Sequence, residues 1–199
     1  MKIIFLIILI LLSSCTGKEK LSQKENTIII KTEENNDSVS VIETETTIGE
    51  AATLIMDKGE NRVSNILIAC RSISGYKLKS GDEFSFNTIT GKKTSERGYK
   101  YAPVIVDGEK SYGIGGGVCQ VSSTIYMAAL DAQMEITEHF NHSESVAYAP
   151  NNTDATVVFG VKDFKFRNNT DDSVYIYTWV DDGRVYAKIV RKSNTINRF

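Results

Sequence analysis

Histidine and cysteine are scarce in this chain, with two of the former and three of the latter among 199 residues. Any metal site or nucleophilic machinery must be assembled from those few positions. Two histidines with scattered carboxylates do not make a convincing zinc site, so neither a metal nor another cofactor is expected. A basic excess is missing too: 23 Lys and Arg stand against 25 Asp and Glu, giving a formal net charge of −2. Little is therefore available to neutralise phosphates, and nucleic acid is not an expected partner. The apolar run from Ile3 to Leu12 is well short of the roughly 20 residues that span a bilayer. No internal repeat or low-complexity run marks the remainder. Apolar residues make up 41% and charged residues 24%, which is the globular range and enough for one domain plus a short tail.

The first fifteen residues have the layout of a secretory signal: Lys2, the short apolar stretch, then Ser13, Ser14 and Cys15. Leu12-Ser13-Ser14-Cys15 resembles a bacterial lipobox, in which cleavage leaves the cysteine as a lipidated N-terminus. An uncleaved membrane anchor with an incidental cysteine is the alternative. Both readings put the domain outside the cytoplasm. The first makes Cys15 a lipid anchor on the outer face of the cytoplasmic membrane, or on an outer membrane if one is present. Residues 16–46 are polar and poor in glycine, and read as a disordered tether. Apolar patches at Ile28 to Ile30 and Val39 to Ile42 leave room for one edge strand. A coil of this length spans about 30 Å on average and roughly 100 Å when stretched.

Residues 47–199 read as one α+β domain, with helices first and strands last. Thr47 to Lys58 is expected to be helical, with Gly59 beyond its end. In Asn61 to Ile73 the apolar positions Val63, Ile66, Leu67 and Cys70 recur at helical spacing, and Gly75 supplies the stop. Phe84 to Phe86 alternates as a strand. Val104 to Asp107 and Lys110 to Gly113 flank a turn containing Asp107-Gly108. After Gly115-Gly116-Gly117, Gln120 to Gln133 reads as a helix. Ala155 to Phe159 reads as a strand, and Ser173 to Val180 with Arg184 to Val190 as a hairpin around Asp182-Gly183.

Chemistry concentrates at Cys119, where the glycine run meets that last helix. A helix start favours a thiolate over a thiol and offers amides with no intrahelical partner. The amides near Cys119 and Gln120 are candidates for holding an oxyanion, and Gly115, Gly116 and Gly117 for clearing a substrate's approach. His142 follows the helix and a turn and is the candidate base. Asp154 is the candidate orienting carboxylate, with Asp163 a weaker choice. Blander readings stand beside these. Cys119 is a small packed residue, His142 a hydrogen-bonding structural one, and Asp154 a turn residue. Cys70 reads as core, and a Cys70–Cys119 disulfide is a further alternative in an oxidising compartment. The triple glycine is no P-loop, because the Lys-Ser/Thr ending is missing.

The run from Gly113 to Tyr126 resembles the signature of the VanW family. More of the pattern lies at Gly81 to Asn87, Thr90-Gly91, Gly98-Tyr99, His142-Ser143, Asp154 to Val157 and Asp163 to Asn168. The likeness runs in order from about Asn61 to about Val180. It implies an L,D-transpeptidase-like protein in which Cys119 accepts the acyl group of a peptidoglycan stem peptide. It also implies substrate or oxyanion contacts around Gln120, Ser122, Ser123 and position 139. There His139 stands where the family commonly has arginine, so a carboxylate would be held weakly and in a pH-dependent way. Ser80 replaces a usual proline, and Asn151-Asn152-Thr153 a more glycine-rich approach to Asp154. Two classes of function follow: a cysteine acyl-transferase (transpeptidase or carboxypeptidase) of the cell wall, or a non-catalytic envelope lipoprotein that binds wall or partner. An accessory role in glycopeptide resistance rests on the family name alone.

Overall fold

The computed structural model describes residues 6–7, 25–34, 37–106 and 109–198. Cys15, most of the export signal, the first part of the tether and the Asp107-Gly108 turn lie outside the described residues.

A six-stranded antiparallel sheet forms the floor, in the order β1 (Leu6–Ile7), β2 (Glu25–Glu34), β3 (Asp37–Leu54), β11 (Arg184–Arg198), β10 (Ser173–Asp181), β4 (Tyr76–Leu78). Strict alternation builds its centre. Val174, Ile176 and Thr178 of β10, and Val185, Ala187 and Ile189 of β11, are buried on one face. On the opposite face Trp179 stacks on Tyr186, its direct partner across the ladder, at 5.1 Å between ring centres.

Two helices cover the buried face. Helix α1 (Glu60–Ile73) turns Asn65, Ile66, Ala69, Cys70 and Ile73 inward and packs on β10. Helix α3 (Val118–Asp131) is apolar on most of its surface and packs on β3 and β11. A smaller sheet, β5 (Glu83–Ser85), β9 (Lys165–Arg167), β8 (Glu135–Glu138), flanks them. Phe84, Phe164 and Phe166 meet there, with Phe84 and Phe166 stacked at 4.8 Å. Fully buried aromatics of this kind contribute about 1.5–3 kcal/mol each. The short helix α2 (Phe86–Thr90) follows β5 and is capped by Ser85. A hairpin of β6 (Tyr101–Val106) and β7 (Glu109–Ile114) delivers the chain into the glycine run.

The α+β class stands, with three differences in its parts. The stretch expected to begin a helix at Thr47 is the end of β3. It is laddered to β11 from Leu54 back to Val39, with a bulge opposite Ile189 and Val190. Local helix propensity in Glu50-Ala51-Ala52 yields there to the backbone pairing. Just before it, Gly49 passes α3 so closely that a Cβ would stand 2.3 Å from the Ala128 carbonyl oxygen. Residues 25–34 and 37–46, expected in the disordered tether, pair as strands β2 and β3. Finally, Ala155 to Phe159 does not join a ladder; a single bridge from Val158 to Lys162 is all the strand pairing it makes.

Candidate active site

The glycine run is shaped by what it passes. A Cβ on Gly116 would stand 2.4 Å from the Pro103 carbonyl oxygen, so the backbone of β6 leaves no room for a side chain. Gly117 has φ 102°, the left-handed region, and forms the N-terminal boundary of α3. The bare glycines therefore fit the loop against β6 and α1, rather than opening a path for substrate. The buried Asn65 of α1 holds the arrangement: its Nδ2 donates to the carbonyls of Lys100 (2.9 Å) and Gly116 (3.0 Å), and its Oδ1 accepts from Lys100 N at 2.7 Å.

Cys119 follows two residues later, partly exposed, and both Cys119 and Cys70 are free thiols. The alternative disulfide is thus absent. The thiol donates to the Val157 carbonyl at 3.7 Å and hydrogen-bonds His142. The Nδ1 of His142 lies 2.6 Å from Asp154 Oδ2, and its backbone N–H donates to the same oxygen at 2.8 Å. With Nδ1 engaged by the carboxylate, Nε2 is the nitrogen left for sulfur. Asn141 Nδ2 donates to the other carboxylate oxygen at 3.2 Å. Cys119, His142 and Asp154, named from sequence as nucleophile, base and orienter, are therefore in one line of contact.

The electrostatics agree with that line. Burial pushes the Cys119 thiol up. The His142 hydrogen bond and charge, together with the charge of Lys93, outweigh burial and carry it below its ordinary value. For His142 burial acts downward, yet Cys119 and Asp154 raise it overall. Burial also opposes the charge on Asp154, and the two hydrogen bonds from His142 pull its carboxyl below the usual range. Both directions favour a thiolate beside an imidazolium over the neutral pair.

The remaining expected contacts have structural work. Ser122 and Ser123 are fully buried. Ser122 Oγ donates to the Ala155 carbonyl at 2.6 Å, and Ser123 Oγ accepts from Ala155 N at 2.9 Å. They hold the segment carrying Asp154 to α3 and are not turned to solvent. Gln120 donates to Thr53 Oγ1 and the Leu54 carbonyl and accepts from Arg62, tying α3 to β3. Its backbone N–H is taken by Gly117 O at 3.0 Å. Among the described residues the Cys119 N–H has no such acceptor, so it is the first-turn amide left for an oxyanion. His139 stacks on Tyr126 at 4.1 Å and donates through Nε2 to the Asp154 carbonyl at 2.7 Å; it braces the carboxylate segment. Asp163 is remote from this pair in role, accepting from Ser85 Oγ, Asn87 N and Phe164 N at the start of α2.

Reading the sequence missed Asn65, Lys93 and Tyr148. Asn65 carried a faint signal, a polar residue on the stripe of α1 that also holds Ile66 and Ala69. Tyr148 hydrogen-bonds Ser123, and burial holds its phenol well above the usual range. An open polar cavity of about 270 Å³ lies beside His142 and Asp154, lined also by Asn141, Ser143, Val146 and Asn151. Among the described residues no group of His, Cys, Asp and Glu is placed to hold a metal ion, and no helix is long and apolar enough to cross a membrane.

An α+β domain that presents a cysteine at a helix start to a His–Asp pair has the layout of thiol acyl-transfer proteins. Residues 61–190 match the model of the family described as VanW like protein, and the chain belongs to that family. It is 39% identical over 129 residues to the uncharacterized protein YoaR of Bacillus subtilis (strain 168), covering 65% of this chain and 43% of that protein. It is 28% identical over 135 residues to the vancomycin B-type resistance protein VanW of Enterococcus faecalis (strain ATCC 700802 / V583), covering 65% of this chain and 49% of that protein. The chain thus spans less than half the length of these curated relatives. No solved structure matches it.

Proposed function

We propose that this VanW-family protein is a cysteine acyl-transferase acting on peptidoglycan stem peptides, held by a lipid on Cys15 at the outer face of the cytoplasmic membrane, or at an outer membrane if one is present. The observation that carries the reading is the unbroken contact from Cys119 through His142 to Asp154. In the first step the thiolate attacks the donor carbonyl. A sulfur–carbon bond forms, and the oxyanion falls within reach of the Cys119 N–H. As the carbon–nitrogen bond breaks, His142 gives its proton to the departing amine. An acceptor amine then attacks the thioester and returns a proton to His142. The new amide leaves, and sulfur is restored as thiolate. Water in place of the amine gives trimming instead of cross-linking.

Three supports converge: the geometry, membership of the VanW family, and likeness to a vancomycin B-type resistance protein. The test is incubation of the purified protein with wall-derived muropeptides, followed by chromatography and mass analysis. Cross-linked or trimmed products are expected from the native protein and none from Cys119→Ala. Identical profiles for the two would end the proposal and return the protein to the class of wall- or partner-binding modules.

A further inference from the structure

Lys93 stands between α2 and the turn at Ser95–Arg97, a stretch with no obvious catalytic signal. Its stem lies against the first glycine of the run, where a Cβ on Gly115 would be 2.9 Å from Lys93 Cβ. The ammonium donates to Asn87 Oδ1 at 2.9 Å and sits 5.4 Å from the centre of the Phe86 ring. Neither partner carries charge. Among the described residues Lys93 has no carboxylate within salt-bridge distance. A half-buried ammonium supported only by an amide and a ring is costly unless an anion lies near. Burial pulls the ammonium below its ordinary value; the charge of Cys119 and then that of Asp163 act against this, and Arg97 adds to the lowering.

Asn87 is built to aim that ammonium. Its backbone N–H donates to Asp163 Oδ1, and its Nδ2 donates to the carbonyls of Val158 (3.3 Å) and Lys162 (2.8 Å). With the donors fixed, the carboxamide oxygen points one way, to Lys93. Val158 directly follows Val157, whose carbonyl accepts from the Cys119 thiol. The same short segment therefore lies against the sulfur and anchors the amide that holds the cation.

We propose that Lys93 is the second cation of the site: held on Asn87, it stabilises the Cys119 thiolate alongside His142. This rests on the reading of Cys119 as nucleophile and adds one consequence. When His142 is neutral, after its proton has gone to a leaving group, the Lys93 ammonium remains to favour negative charge on the sulfur. The charged groups around the sulfur are His142 and Lys93. Asp154 acts through the imidazole, Tyr148 stays neutral, and Asp163 and Arg97 act on Lys93.

The test is the pH profile of iodoacetamide alkylation at Cys119, followed by mass spectrometry on the intact protein, for native, Lys93→Gln, Lys93→Met and Lys93→Arg forms whose folding is checked by circular dichroism. Removing one nearby charge in a medium of intermediate polarity should slow alkylation at pH 6.5 by roughly tenfold and move the midpoint up by about one pH unit. Lys93→Arg should restore most of the native profile. The residual low-pH reactivity of His142→Ala should vanish in His142→Ala/Lys93→Gln. If the folded neutral variants keep the native low midpoint, the Lys93 role is overturned and the nucleophile survives. A native profile with the midpoint of an ordinary thiol overturns both.

Discussion

Two thiols among the described residues lie on the packed helices α1 and α3 and are shifted in opposite directions. Cys70 is on the inner stripe of α1 with Ile66 and Ile73, and the Thr178 hydroxyl is its hydrogen-bond partner; burial pushes it up to about 12. Cys119 is also largely withdrawn from water, and burial acts on it in the same direction, yet it ends below its ordinary value. The difference is company. His142, a helix start and Lys93 surround one sulfur, and aliphatic side chains surround the other. Removal from water raises a thiol's pKa by default, and only charges and donors placed against it reverse the sign.

The largest effect that tests this contrast is chemical labelling of the native protein. A thiol moved from 9.0 to about 12 holds roughly a thousandth of the ordinary thiolate fraction. Iodoacetamide at pH 7 should therefore modify Cys119 and leave Cys70 unlabelled until the protein is denatured, as read by peptide mass mapping. Equal labelling of the two would erase the distinction.

Next in size is removal of the imidazole and then of the carboxylate behind it. His142→Ala should slow alkylation at pH 6.5 by roughly 10–100-fold and shift the profile toward that of a free thiol. Asp154→Asn should do the same by about tenfold and also change acid stability. The folded Asp154 carboxyl lies below its ordinary 3.8. Its stabilising contribution is thus fully present above that value and is lost as pH falls through the lower folded one. Thermal melts between pH 2 and 5 should show a steeper acid loss for the native protein than for Asp154→Asn. Parallel curves would mean that the carboxylate adds nothing specific to the fold.

The smallest effect sharpens the other side. Cys70→Ala deletes one buried sulfur, and costs about 1 kcal/mol in a denaturant titration. The alkylation profile of Cys119 should be unmoved. A slower Cys119 in that variant would reveal coupling through α1 that the hydrogen bonds do not suggest.

Cys119, His142 and Asp154 were legible as candidates that could come together because each sits beside a strong local mark. Cys119 follows a glycine run and opens an apolar helix; with only two histidines in the chain, His142 had one rival. Helix α1 and the β10–β11 hairpin were legible from periodicity and the Asp182-Gly183 turn. What stayed hidden depends on contacts between distant segments. Lys93 resembles any surface lysine until Asn87 and Gly115 are brought to it. Residues 47–54 have no decisive period of their own; the ladder with β11 makes them a strand. Ala155, Thr156 and Val157 are buried and carry β-branched residues, as a strand would, but Ser122 and Ser123 supply hydrogen bonds to Ala155 that a neighbouring strand would give.

That substitution of hydroxyls for a strand has a further result. The chain from His139 to Val157 carries both partners of the thiol, but no ladder fastens it to the sheet. Four of its ties are Ser122 to Ala155 O, Ala155 N to Ser123, His139 to Asp154 O, and Thr156 N to Phe140 O. Each such bond contributes only about 0.5–1.5 kcal/mol net. A modest local opening of this segment would part His142 and Asp154 from the sulfur while the packed helices and sheet beneath stay shut.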